Sequence, residues 1–156
     1  MYDKILVPLD GSELAECVFP HVEALARGCQ VKQIILFRVV EPFQQPTAAE
    51  YVFDAQEVEN VNAEMRAEAE RYLEKAKGKF QFQHPGMTVE AKVAMGRVAE
   101  TLASQAAENA ADLIVIATHG RSGVSRWVWG SVADRILRSS CVPVLMVRAP
   151  GCFPGL

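Results

Sequence analysis

Leu113-Ile114-Val115-Ile116-Ala117-Thr118-His119-Gly120-Arg121-Ser122-Gly123 is the stretch on which the fold turns. Five consecutive apolar residues read as a strand covered on both faces, because a strand with one wet face would alternate. A glycine-containing loop follows at once, and Gly130-Ser131 then opens the helical stretch Val132 to Arg138. Loop glycines let backbone N–H groups close on an anion, and a helix N-terminus adds unpaired donors and the positive end of its dipole. Strand, loop and helix start together predict an anion-binding cradle, suited to a nucleotide or another phosphorylated ligand.

Outward from this segment the same alternation recurs. Ile5-Leu6-Val7-Pro8-Leu9 is a second continuous apolar run, followed by Asp10-Gly11-Ser12-Glu13, where Asp10 and Glu13 stand at capping-box spacing. Leu14, Cys17, Val18, His21, Val22 and Leu25 then recur at helical spacing to about Gly28. Gln33 to Val40 is a strand ended by Glu41-Pro42, and residues 41–56 read as a long loop. Glu57 to Lys79 is an amphipathic helix with Val58, Val61, Met65, Ala69, Tyr72 and Ala76 on one face. The alternation Val89, Ala91, Val93 gives the third strand, Gly96 turns the chain into a helix from Val98 to Asn109, and Val142 to Val147 is the fifth strand.

This order predicts an α/β fold: one doubly wound domain over residues 1–148, with a tail at 149–156. Its five-stranded parallel sheet runs in the order 3-2-1-4-5 with helices on both faces. Ligands in such sheets lie beyond the C-terminal ends of the strands, where the strand order reverses. The first and fourth strands are neighbours there, so Asp10 and Gly120 are expected to face one crevice. Asp10 has a plainer alternative as a helix cap only.

Bulk properties narrow the function. The chain has 156 residues, half of them hydrophobic, and the apolar runs are far short of the roughly 20 residues of a membrane span. Met1-Tyr2-Asp3-Lys4-Ile5 enters a strand directly, which fits no targeting segment and makes the cytoplasm the expected compartment. The net charge of −3 opposes nucleic-acid binding, but it is unevenly placed. From His119 to Arg148 five arginines (121, 126, 135, 138 and 148) stand against one acid, Asp134; this local +4 leaves −7 on the rest of the chain. A basic segment coinciding with the cradle favours an anionic ligand. Cys17, Cys29, Cys141 and Cys152 have no metal or redox spacing; the first three are expected to be small hydrophobes and Cys152 to be exposed. Met65 and Met95 read as core. Neither a P-loop nor a G-x-G-x-x-G fingerprint occurs.

Lys4-Ile5-Leu6-Val7-Pro8-Leu9-Asp10-Gly11-Ser12, Phe37-Arg38-Val39-Val40, Gly96, Ala117 to Gly123, Gly130-Ser131-Val132-Ala133 and Val142-Pro143-Val144-Leu145 together resemble the universal stress protein family over nearly the whole chain. Members that bind ATP carry G-x2-G-x9-G-[ST]; Gly120 and Gly130-Ser131 match its last two elements, and Ala117 stands at the first glycine. The resemblance implies ATP as the ligand. Asp10 would take the ribose hydroxyls or a divalent metal, Mg2+ or Mn2+, near the phosphates, with Pro8 and Leu9 shaping the wall beside it. Val39 would meet the adenine edge through its backbone, and Ile116 would line the base pocket. Gly120, Gly130, Ser131 and Val132 would donate to the phosphates, with Arg121 and Arg126 as further candidates from charge and position.

No catalytic residue is recognisable, so the expected role is an ATP-binding stress-response or signalling module. One alternative is a dimeric scaffold of the same family without nucleotide, which Ala117 would favour. Another is a weakly ATP-hydrolysing or nucleotide-transfer enzyme. Val142 to Val147 is an apolar sheet edge, which invites pairing with another chain; the resemblance implies a homodimer through it.

Overall fold

The computed structural model describes residues 2–45, 52–80, 86–118 and 131–148. Strand β1 (Lys4–Pro8) leads through a 3-10 turn (Ala15–Val18) into helix α1 (Phe19–Cys29). Then come β2 (Gln33–Val40), α2 (Ala55–Lys79), β3 (Thr88–Met95), α3 (Val98–Glu108), β4 (Leu113–Ala117), α4 (Ser131–Ser139) and β5 (Val144–Val147). The sheet runs β3-β2-β1-β4-β5, with every pairing parallel. The expected fold and strand order are both met.

Alternation of side chains across each strand divides the apolar residues into two layers. Ile5, Val7, Ile34, Leu36, Leu113 and Val115 pack with residues of α1 and α2 on one face. Leu6, Ile35, Phe37, Ile114 and Ile116 pack with α3 and α4 on the other. Both layers are dry, which is why β1, β2 and β4 read as unbroken apolar runs. At the opposite end of the sheet from the crevice, Asp112 Oδ2 accepts the N–H groups of Asp3 and Lys4, each at 2.9 Å, and fixes the start of β1 beside β4.

Several local expectations are corrected. Asp10 and Glu13 do not form a capping box. Asp10 Oδ1 instead accepts the Ser12 N–H at 2.9 Å and the Ser12 hydroxyl at 2.6 Å, and the first helical turn begins only at Ala15. The capping box lies at α2, where Asp54 and Glu57 exchange bonds of 2.8 and 2.9 Å and start the helix at Ala55 rather than Glu57. His21 is exposed and lies off the buried face of α1. The fully buried face of α2 is Ala69, Leu73 and Ala76; Val58, Val61 and Met65 are only half-buried, as is Met95 in β3. β5 begins at Val144 rather than Val142, whose N–H is taken by Ser140 Oγ at 3.0 Å. Cys141 is exposed rather than buried, while Cys17 and Cys29 pack partly into the core; Cys152 and His84 lie outside the described residues.

Gly96 connects β3 to α3 with φ +152°, and its N–H reaches the Val40 carbonyl at 3.0 Å. A Cβ there would lie 2.5 Å from Thr101 Oγ1. Gly96→Ala is therefore expected to lower stability by roughly 1–3 kcal/mol, measured by urea denaturation. Adding Thr101→Ala should return only the part due to the contact, since the backbone strain remains.

Candidate functional site

The C-terminal ends of β1 and β4 border a cavity of about 470 Å³. Its first wall is the end of β1: Pro8, Leu9 and Asp10, held to β2 by the Leu9 N–H on the Phe37 carbonyl at 2.9 Å. The floor is apolar, with Val39 from β2, Ile116 and Ala117 from β4, and Val98 and Leu102 from α3. The far wall is the first turn of α4, Ser131, Val132 and Ala133. The first N–H groups of an α-helix have no partner within it, so this wall offers donors to whatever occupies the cavity. Met65 of α2 closes the side near Val40 and Glu41. A partly buried carboxylate on one side, a helix start on the other and an apolar floor between them suit a ligand with a flat apolar part and an anionic end.

Eight of the expected site residues therefore come together at this cavity: Pro8, Leu9, Asp10, Val39, Ile116, Ala117, Ser131 and Val132. Gly120, Arg121 and Gly130 lie outside the described residues, as do His119, Arg126, Trp127 and Trp129. Ala117 sits in extended β4, paired with Val147, and is not among the residues with positive φ. No left-handed conformation is needed there, so alanine carries no backbone penalty at this position.

The conformation of Asp10 is set by its own turn. Ser12 takes one carboxylate oxygen twice and passes the constraint on through its hydroxyl, which accepts the Ala15 N–H at 3.2 Å. Gly11 between them has φ +90°, where a side chain is strained. Its second constraint is space: a Cβ would lie 2.9 Å from Arg38 Cζ and Nη1 and 3.0 Å from Nη2. The guanidinium of Arg38 thus lies against the bare Cα of Gly11.

Arg38 is the residue that sequence reasoning passed over. It interrupts the apolar strand Ile34 to Val40, lines the cavity, and is only 9% exposed. Its Cζ lies 5.3 Å from the centroid of the Tyr72 ring on α2, a cation–π contact. Tyr72 in turn donates to the Ser12 carbonyl at 3.4 Å, so β2 and α2 both hold the loop that carries Asp10. Burial raises the Tyr72 phenol above its ordinary range, helped by the Glu16 and Asp10 carboxylates and opposed by Arg38, so it remains a donor. A single charge inside a strand that is otherwise apolar was the available signal. Val98 and Leu102 also went unread, although their i, i+4 spacing after Gly96 puts both on one face of α3.

Of the five arginines expected to make the 119–148 segment basic, the three among the described residues lie on the surface. Arg135 pairs with Glu100 at 3.5 Å and Arg138 with Asp134 at 3.1 Å, all at exposed positions, and Arg148 is exposed. Such pairs are worth little energetically and direct no charge inward. Among the described residues no group of three His, Cys, Asp or Glu could hold a metal ion. Among the same residues no helix is long and apolar enough to cross a membrane.

Comparison with known proteins agrees with this architecture. The family model described as "Universal stress protein family" matches residues 1–148. Universal stress protein YxiE of Bacillus subtilis is 30% identical over 151 residues, 95% of this chain and all of the relative. The structure of MJ0577, a universal stress protein of Methanocaldococcus jannaschii, superposes with a TM-score of 0.77 at 25% identity, covering 97% of this chain and 99% of that one. Two more distant structures share the fold and hold nucleotides. A universal stress protein in complex with cAMP has a TM-score of 0.62 at 22% identity, covering 95% of this chain and 98% of its own. A family protein of Arabidopsis thaliana with AMP bound has a TM-score of 0.64 at 16% identity, covering 95% and 92%. With this sheet order, the crevice at its reversal point and a family match over residues 1–148, the chain belongs to the universal stress protein family.

Proposed function

We propose that the chain binds an adenine nucleotide, with ATP as the first candidate, and acts as a stress-response or signalling module whose ligand alters its shape or its partners. The observation that carries this reading is the cavity in which Asp10 faces the α4 N-terminus across an apolar floor. The base would lie on Val39, Ile116 and the α3 side chains, with the backbone of Val39 meeting the adenine edge. Asp10 would accept the ribose hydroxyls. The phosphates would meet Ser131 and Val132 at the start of α4, together with Gly120, Arg121 and Gly130 of the preceding segment. Mg2+ or Mn2+ would travel with the phosphates. The two nucleotide-bound relatives support adenine as the base, because the proteins that hold AMP and cAMP share this fold.

The chain is further proposed to form a homodimer through β5. This strand is a sheet edge, and Leu145 leaves an exposed apolar side chain on it. An edge strand of this kind has unpaired backbone groups ready for another chain.

Two measurements test these statements. Nucleotide-stripped protein titrated calorimetrically with ATP, with and without magnesium, should bind about one equivalent per chain; absence of heat and of competition at millimolar ATP would remove the nucleotide reading. Gly130→Asp should abolish binding by placing a carboxylate among the phosphates. Asp10→Ala should weaken it roughly 10- to 100-fold, the worth of a hydrogen bond to a charged group. In sedimentation at micromolar concentration the protein should run as a dimer and Leu145→Arg as a monomer. A monomeric wild-type protein would contradict the edge-strand dimer.

A further inference from the structure

Arg38 has more hydrogen-bonding capacity than the described fold uses. The residue is about nine-tenths buried, yet no hydrogen bond or ion pair joins its guanidinium to another described residue. Gly11 lies against it and the Tyr72 ring is in cation–π contact with it. Neither contact gives an oxygen acceptor to its five N–H donors, which lie in the plane of the group and point outward from its edge. Packing therefore holds the group in place while leaving those donors without an oxygen partner among the described residues. A buried charge left in that condition is costly, and an oxyanion or ordered water is the usual way such a group is completed. Arg38 also lines the cavity that Asp10 and the start of α4 line, and its guanidinium lies against Gly11, next to Asp10.

We propose that Arg38 is a second anion-binding group of the crevice, built for a phosphate ester on the ribose 2′ or 3′ oxygen of a nucleotide whose 5′ phosphate lies at α4. The proposal rests on the nucleotide reading above, which puts the ribose beside Asp10. Asp10 and Glu41 line the same cavity, and no ion pair joins either of them to the arginine. Asp10 directs Oδ1 into its own turn, where the Ser12 N–H and hydroxyl hold it at 2.9 and 2.6 Å. Glu41 is exposed to solvent and screened by it. A forked guanidinium matches two phosphate oxygens at once, and an arginine near the ribose is the usual means by which dinucleotide folds accept a ribose phosphate. The ligand class is thus a nucleoside bisphosphate with its two phosphates on different ribose oxygens.

The test is calorimetric titration of the nucleotide-stripped full chain with 5′-AMP, adenosine 2′,5′-bisphosphate and adenosine 3′,5′-bisphosphate at one ionic strength. At least one bisphosphate is expected to bind roughly 10- to 100-fold more tightly than AMP, the range of a charge-assisted contact; the preferred isomer identifies the oxygen. In Arg38→Gln the ratio of the two affinities should fall towards one, whatever happens to AMP itself. AMP binding with no bisphosphate advantage overturns the inference and leaves the nucleotide reading intact. An advantage that survives in Arg38→Gln overturns it too, and makes the arginine purely a support for the Gly11 loop. Failure of all three ligands to bind removes both readings. Should Arg38→Gln not fold, the Arg38 Nε–H resonance of the wild-type protein decides: it should move on adding the tighter bisphosphate and stay in place with AMP, and equal movement with both would overturn the proposal.

Discussion

The reversal of strand order at β1 is the constraint from which the rest of the structure follows. From β1 the chain winds outward through β2 to β3, then returns past β1 to lay down β4 and β5. Parallel crossovers are right-handed almost without exception, so a change in the direction of travel across the sheet forces the connecting helices onto the other face. The two core layers show this: α1 and α2 pack with one, α3 and α4 with the other. Where the two directions part, between the C-terminal ends of β1 and β4, the helices that follow the two strands lie on opposite faces. The cavity is the gap they leave, and it exists before any side chain specialises it.

Burial on both faces then restricts what the central strands can carry. Ile5 to Val7 and Leu113 to Ala117 are apolar throughout, and β2 beyond its first residue, Gln33, admits one exception, Arg38, near its C-terminal end. Its position is physically intelligible. Deeper in the strand a guanidinium would be surrounded by aliphatic side chains with no compensation. At the strand end it has the Tyr72 ring, a glycine that makes room for it and the cavity itself. The same glycine turns the chain so that Asp10 stays partly buried at the cavity wall. One backbone position thus serves the carboxylate and the cation at once.

The elements most legible in the sequence were those decided by runs of residues within a single segment. β4 was readable to the residue because five apolar residues in a row admit few alternatives, and the strand order followed from the alternation of such runs with helices. What was not legible depended on partners from elsewhere in the chain. Asp10-Gly11-Ser12-Glu13 and Asp54-Ala55-Gln56-Glu57 share the Asp-x-x-Glu spacing, yet only the second is a capping box. In the first, Gly11 adopts a positive φ and Ser12 captures the Asp10 carboxylate, a competition that spacing alone does not rank. Arg38 was hidden for a similar reason, since its surroundings come from α2 and from the loop after β1. The arginines of α4 were misleading in the other direction: charge clustered in sequence spreads over a helix surface and pairs with Glu100 and Asp134.

A site of this kind also explains how the fold persists among relatives with identities near 30% or below. Backbone N–H groups at a helix start and the backbone of an extended strand are supplied by topology, and almost any side chain leaves them in place. Ala117 illustrates the tolerance: with negative φ in a paired strand, a methyl group replaces a hydrogen without changing the course of the chain. Selectivity must then come from the few side chains that reach the cavity from fixed backbone, because only they differ in what they donate, accept or exclude. Among the described residues that line the cavity, Asp10, Arg38, Met65 and Ser131 come from four different elements or their ends. Each is positioned by a different part of the fold, so a change in one can alter ligand preference while the shared backbone cradle stays intact.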